Sequence, residues 1–101
     1  MQTQIDMTQM AESAEAAAGL MKQLANQNRL MILCTLLEGE CSVGELNEQI
    51  PIAQSALSQH LSSLRQADLV ETRRESQTIY YRLKGDHAKR VIQVLHDLFC
   101  P

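Results

Sequence analysis

The sequence predicts a mainly α-helical domain, an α+β arrangement of five helices and one two-stranded β-hairpin. Three observations predict it. Apolar residues recur at intervals of three and four over most of the 101 residues, the spacing of helices with one buried face. A short helix, a proline turn and a second helix succeed one another within residues 43–66, which is a helix-turn-helix pattern. After Asp68 the period falls to two, and two alternating runs flank a polar turn within residues 70–83. A chain of this length makes one domain, 1–101.

Each element follows from its local chemistry. Residues 1–8 are polar and expected to be frayed or disordered. From about Gln9 to Leu24 strong helix formers dominate, with Met10, Ala14, Ala17, Met21 and Leu24 on one face. Asn26 caps a second helix, Gln27 to about Glu38, which Gly39 ends. Ser42 and Glu45 form a capping box for a short helix, Val43 to Gln49. Pro51 cannot continue a helix and biases Ile50 away from helical angles, so Ile50 to Ile52 make a turn. The stretch from Ala53 then winds with Leu57, Leu61 and Leu64 on one stripe and Ser55, Ser58, Gln59, Ser62 and Gln66 opposite.

Val70, Thr72 and Arg74 alternate with Glu71 and Arg73, and Ile79, Tyr81 and Leu83 alternate with Tyr80 and Arg82. No Asn-Gly or Asp-Gly marks the turn between them, so a longer, mobile tip around Glu75, Ser76 and Gln77 is expected. The last segment, 86–99, is helical with Val91, Val94, Leu95 and Leu98 on one stripe. That stripe exceeds what a terminal helix on so small a core needs. With the alanine-rich face of the first helix, it points to a homodimer formed through the first and last helices.

Composition narrows the function. No apolar run approaches a membrane span, and Met1 to Gly19 is too polar for a signal peptide, so a cytoplasmic protein with no membrane partner is expected. The net charge of −3 is unevenly spread. Before residue 51 only Lys22 and Arg29 oppose a majority of carboxylates, whereas Arg65, Arg73, Arg74, Arg82 and Lys84 outnumber Asp68, Glu71 and Glu75. The basic region coincides with the helix-turn-helix and the hairpin behind it. No Ser/His/Asp arrangement, glycine-rich phosphate loop or carboxylate pair suggests an enzyme, and no cofactor is expected. Three widely spaced cysteines without a C-x-x-C motif exclude a secreted disulfide framework and a zinc ribbon.

The helix from Ala53 carries no acidic residue on its outer face, only hydroxyls and amides able to reach phosphate oxygens and base edges. Gln54, Ser55, Ser58 and Gln59 are the candidate base contacts. His60 lies closer to the leucine stripe and is expected to be half-buried; its role as a secondary contact is one that only a family resemblance implies. Arg65, Arg73 and Arg74 are candidates for phosphate, and Gln77 and Thr78 for the backbone or minor groove at the hairpin tip. Such a hairpin directly after a helix-turn-helix is a wing. The partner implied is double-stranded operator DNA with an inverted repeat, since two recognition helices about 34–36 Å apart read successive major grooves. The plainer readings are a polar surface helix and an ordinary charged hairpin, or a helix-turn-helix scaffold for protein contacts.

The runs QSALSQHLSSLRQADLV and TRRESQTIYYRL, in this order of elements, resemble the ArsR/SmtB family of winged helix-turn-helix repressors over nearly the whole chain. Ala53 departs from it, standing where the family often has a capping Ser. The metal-binding patterns of that family are not matched. Ser42 and Gly44 occupy the thiol positions before the turn, and of the last helix's zinc set only His87 remains, so no metal site is expected.

The segments RLMILCTLLEGECSVGEL and VLHDLFCP instead resemble the persulfide- and redox-sensing subgroup, BigR-, SqrR- and HlyU-like regulators, which carry one cysteine in each place. The resemblance implies that Cys34 and Cys100 are the sensing pair and that reactive sulfur species are the inducer. They would join the pair by a di- or polysulfide and so release the DNA. Read from the residues alone, Cys34 is equally a small core hydrophobe among leucines. Cys41 lies among Glu38, Glu40 and Glu45, which disfavour its thiolate. A metal- or metalloid-responsive repressor using the three thiols and a HlyU-like virulence regulator are the alternatives.

Overall fold

The computed structural model describes residues 6–100. Its elements run α1 (Met7–Leu24), α2 (Gln27–Leu37), β1 (Cys41–Ser42), α3 (Val43–Gln49), α4 (Gln54–Gln66), β2 (Val70–Glu75), β3 (Thr78–Leu83) and α5 (His87–Phe99). The five helices and the hairpin agree with the sequence to within two residues at their ends. The expected fraying of residues 1–8 falls partly outside the described residues. Within them the Asp6 side chain accepts the Thr8 amide at 2.9 Å and α1 starts at Met7.

The other caps act as their residue types dictate. Asn26 Oδ1 accepts the Arg29 amide, and Ser42 and Glu45 close both halves of their capping box at 3.2 and 2.9 Å. Ala53 offers no side-chain cap, and Ser55 does not supply the missing bond. Asp68, with φ 65, ends α4 in the left-handed region, and the Leu69 amide returns to the Leu64 carbonyl at 3.0 Å.

The core forms around α2. Ile32, Leu33 and Leu36 meet Leu46 and Ile50 of α3, Leu57, Leu61 and Leu64 of α4, Leu69 and Val70, and Ala88 and Ile92 of α5. All three leucines of the α4 stripe are 0% exposed, so this helix is held by one continuous apolar seam. No charged or polar residue joins the core among the described residues.

The sheet has one more strand than expected. Its order is β1-β3-β2, all antiparallel, with Cys41 opposite Tyr81 and Ser42 opposite Tyr80. Two residues carry no readable alternation, so β1 left no mark in the sequence pattern. The longer hairpin tip is also corrected. Glu75 pairs with Thr78, leaving a two-residue turn in which Ser76 takes φ 57. A positive φ, which Asn or Gly adopts more readily, is supplied here by serine under the constraint of the paired strands.

Candidate nucleic-acid interface and thiol pair

The interface is built outward from the leucine seam. With Leu57 at zero on a helical wheel, Gln54, Arg65, Ser58, Ser62, Ser55, Gln66 and Gln59 occupy about 60° to 200°. All seven are exposed. Ser63, Ala56 and His60 fall at about 240° to 300°, and all three are half-buried. One face of α4 is thus open, polar and free of carboxylates, and His60 belongs to its flank. Ser62 and Gln66 share the open face with the four expected base contacts.

Asn47 sets where that face begins. Its side-chain amide donates to the carbonyls of Ile50 at 3.2 Å and Ile52 at 2.8 Å, holding the turn between α3 and α4. Sequence reasoning passed over Asn47, whose only signal was an amide ahead of a proline turn.

The hairpin separates its arginines by face. Val70, Thr72 and Arg74 share one side of β2, and Val70 is buried there against the core. Glu71, Arg73 and Glu75 lie on the other side, opposite Arg82, Tyr80 and Thr78. On that outer side the cations are engaged. Arg73 donates to Glu40 through Nε at 3.1 Å and to Glu75 through Nη1 at 2.6 Å, and its guanidinium lies 4.7 Å from the Tyr80 ring centre. The Arg73 hydrogen bonds hold the Glu40 carboxyl below its ordinary range, and the two carboxylates push Arg73 further up. Arg82 pairs with Glu71 at 2.8 Å.

Arg65 and Arg74 are different. Both are exposed, and neither has a carboxylate partner among the described residues. Gln77 and Thr78 are exposed at the hairpin tip.

The cysteines divide in the same way. Cys34, in the middle of α2, is half-buried against the core, and Cys100 caps the end of α5 in the open. Burial raises the Cys34 pKa, and the nearby Cys100 raises it further. Cys100 is thus near enough to act on Cys34, although 66 positions separate the two in sequence. Cys41 is also half-buried and raised, first by burial and then by Glu45, Glu38 and Glu40. Its local partner is the Gly39 carbonyl, at 3.8 Å. Among the described residues no three His, Cys, Asp or Glu side chains gather as a metal site. No helix there is long and apolar enough to cross a membrane.

Comparison with known proteins agrees with this geometry. Residues 26–72 match the family model "Bacterial regulatory protein, arsR family". Over 96 residues the chain is 46% identical to the transcriptional activator HlyU of Vibrio cholerae, covering 95% of this chain and 89% of that one. It is 47% identical over 97 residues to the biofilm growth-associated repressor of Agrobacterium fabrum, covering 96% and 83%. The structure of reduced HlyU from Vibrio cholerae superposes with a TM-score of 0.89 at 47% identity, over 92% of this chain and 98% of that chain. The homodimeric winged helix-turn-helix domain Mb0332 of Mycobacterium bovis gives 0.79 at 32% identity, over 97% and 89%. With relatives this similar along nearly its entire length, the chain belongs to the ArsR family of bacterial transcriptional regulators.

Proposed function

We propose that this protein is a homodimeric, cytoplasmic repressor that binds an inverted repeat in duplex DNA and lets go when sulfane sulfur joins Cys34 to Cys100. The observation that carries the DNA half is the open face of α4. Seven exposed hydroxyl, amide and guanidinium side chains lie there without a carboxylate, above a fully buried leucine seam. Gln54, Ser55, Ser58 and Gln59 enter the major groove, with His60 at its edge. Arg65 and Arg74 take phosphates, and Gln77 and Thr78 lie at the backbone or minor groove. Arg73 reaches DNA only by exchanging Glu40 and Glu75 for phosphate.

Dimerisation is supported by what the single chain leaves uncovered. α1 has 18 residues, of which only Leu24 is buried. Met10, Met21, Val94, Leu98 and Phe99 are exposed, the last at 78%. A helix so poorly packed is marginal alone, and a second copy laid along α1 and α5 covers both apolar faces. The relative Mb0332 is homodimeric.

The sensing half is supported by the nearness of Cys100 to Cys34, which raises the Cys34 thiol, and by the exposure of Cys100. Cys100, the exposed one, takes a sulfur atom from a persulfide. Cys34, with its thiolate disfavoured, completes the bridge. For a simple disulfide, two protein thiols and one persulfide RSSH give the bridge, one thiol RSH and one hydrogen sulfide. A tetrasulfide consumes three RSSH and releases three RSH and one hydrogen sulfide. The bridge ties the end of α5 to the middle of α2 and shifts the dimer helices against α4.

The test is intact mass and gel shift on the same anaerobic sample, with duplexes selected from a random pool. Persulfide treatment should add about 30 or 62 Da for a tri- or tetrasulfide and abolish the shifted band. Both effects should vanish in Cys34→Ser and Cys100→Ser and persist in Cys41→Ser. Loss of DNA binding without any bridge, or a stable arsenite adduct needing all three thiols, refutes the sulfur mechanism.

A further inference from the structure

Within the DNA-binding reading, we infer that Gln23 is a positioning residue that sets the orientation of the recognition helix relative to the dimer helices, through Ser63. Ser63 lies on the half-buried flank of α4, and its Oγ donates to Gln23 Oε1 at 3.1 Å. The two residues are 40 positions apart. Among the described residues this is the one hydrogen bond between side chains of two different helices.

Gln23 is itself fixed. Its backbone carbonyl accepts Arg29 Nε at 2.7 Å, and Arg29 in turn gives its amide to Asn26, the cap of α2. The α1–α2 elbow is therefore braced from both sides. The final turn of α1 then presents the Gln23 amide group to α4 as a lever rather than as a free surface side chain.

The geometry explains why a lever is needed. The three leucines of α4 hold it against the core along one seam, but apolar contacts are non-directional and tolerate small rotations about the helix axis. A hydrogen bond about 240° around the wheel from Leu57 resists that rotation. It also refers the α4 face to α1, whose apolar residues Met10 and Met21 are exposed while only Leu20 and Leu24 reach the core. In a dimer, the position of α1 is set by the partner copy. Gln23 thus passes the dimer's geometry to the face that reads bases. A change of one base pair in half-site separation turns one site by about 34–36° relative to the other, so the rotational set of α4 decides which separation fits.

The experiment begins with the wild-type protein and a random duplex pool. If no inverted repeat is enriched, the DNA-binding reading fails and this inference with it. With a selected site in hand, affinity is measured for it and for versions lengthened or shortened by one base pair. The ratio of these affinities is the readout, since a loss of fold alone lowers all three together. Gln23→Ala and Ser63→Ala should each lower the ratio by at least about threefold, the worth of one ordinary hydrogen bond per chain. The double variant should add nothing to either single one. Gln23→Glu, which keeps an acceptor oxygen, should retain the wild-type ratio. An unchanged ratio in both alanine variants, or equal weakening on all three duplexes, overturns the inference.

Discussion

The division of the wing's arginines by face makes a quantitative claim about salt. Truncate Arg74 to alanine in one variant and Arg73 in another. In the free protein Arg74 has no carboxylate partner among the described residues, whereas Arg73 is shared between Glu40 and Glu75. When Arg74 meets a phosphate, a condensed counterion is released. When Arg73 does so, two carboxylates are uncovered and gather cations of their own. Each phosphate contact contributes about 0.9 to the slope of log affinity against log salt. A dimer uses Arg74 twice, so Arg74→Ala should flatten the slope by about 1.8. Between 50 and 200 mM salt that is about a tenfold smaller loss of affinity than the wild type suffers. Arg73→Ala should leave the slope within about 0.5 of wild type. Glu40→Gln, which loosens the hold on Arg73, should steepen it. The assay is a fluorescence-anisotropy titration on one duplex at five salt concentrations. Equal flattening by Arg73→Ala and Arg74→Ala would sink the claim that internal pairing decides which arginine serves the DNA.

Other expectations follow from the core, the missing cap and the buried thiol. Leu61 is 0% exposed, so Leu61→Ala should cost about 2–5 kcal/mol, read from urea denaturation; a loss below about 1 kcal/mol would mean the seam re-closes around the gap. Ala53 already has extended backbone angles, φ −59 and ψ 141, so Ala53→Ser should gain about 1 kcal/mol and raise Tm by about 4–8 °C. A lower Tm would show that the hydroxyl meets no helix amide. Cys34 is held neutral by burial and by Cys100, so its alkylation should accelerate at lower pH in Cys100→Ser than in the wild type. An unmoved profile would dissociate the two thiols. The linked sign for stability is fixed: a thiol raised in the folded state favours folding less as pH climbs above its unfolded pKa, so wild-type stability should fall at alkaline pH.

Short-range chemistry accounts for the features that could be read along the chain. The helix of leucines at 57, 61 and 64, the Ser42–Glu45 capping box, the Asn26 cap and the alternation from Val70 to Leu83 each depend on residues within a few positions of one another. Side-chain periodicity and cap geometry are local properties, so they can be read along a line. The open polar face of α4 was legible for the same reason, because burying one stripe of a helix exposes the other.

Interactions between distant residues were settled only by folding. The β1 strand needs Tyr80 and Tyr81 to exist at all. The two-residue turn at Ser76 is imposed by the register of the strands on either side, against the residue's own preference. That Glu40, 33 positions away, holds Arg73 and leaves Arg74 without such a partner is written nowhere in the local pattern. Gln23 and Ser63 stand 40 positions apart with nothing in the sequence to pair them, and the fold joins them. One cause is common to all four. A hydrogen bond or ion pair forms only when packing has already met the entropy of bringing distant segments together, and no pattern of neighbours along the chain records which segments those will be.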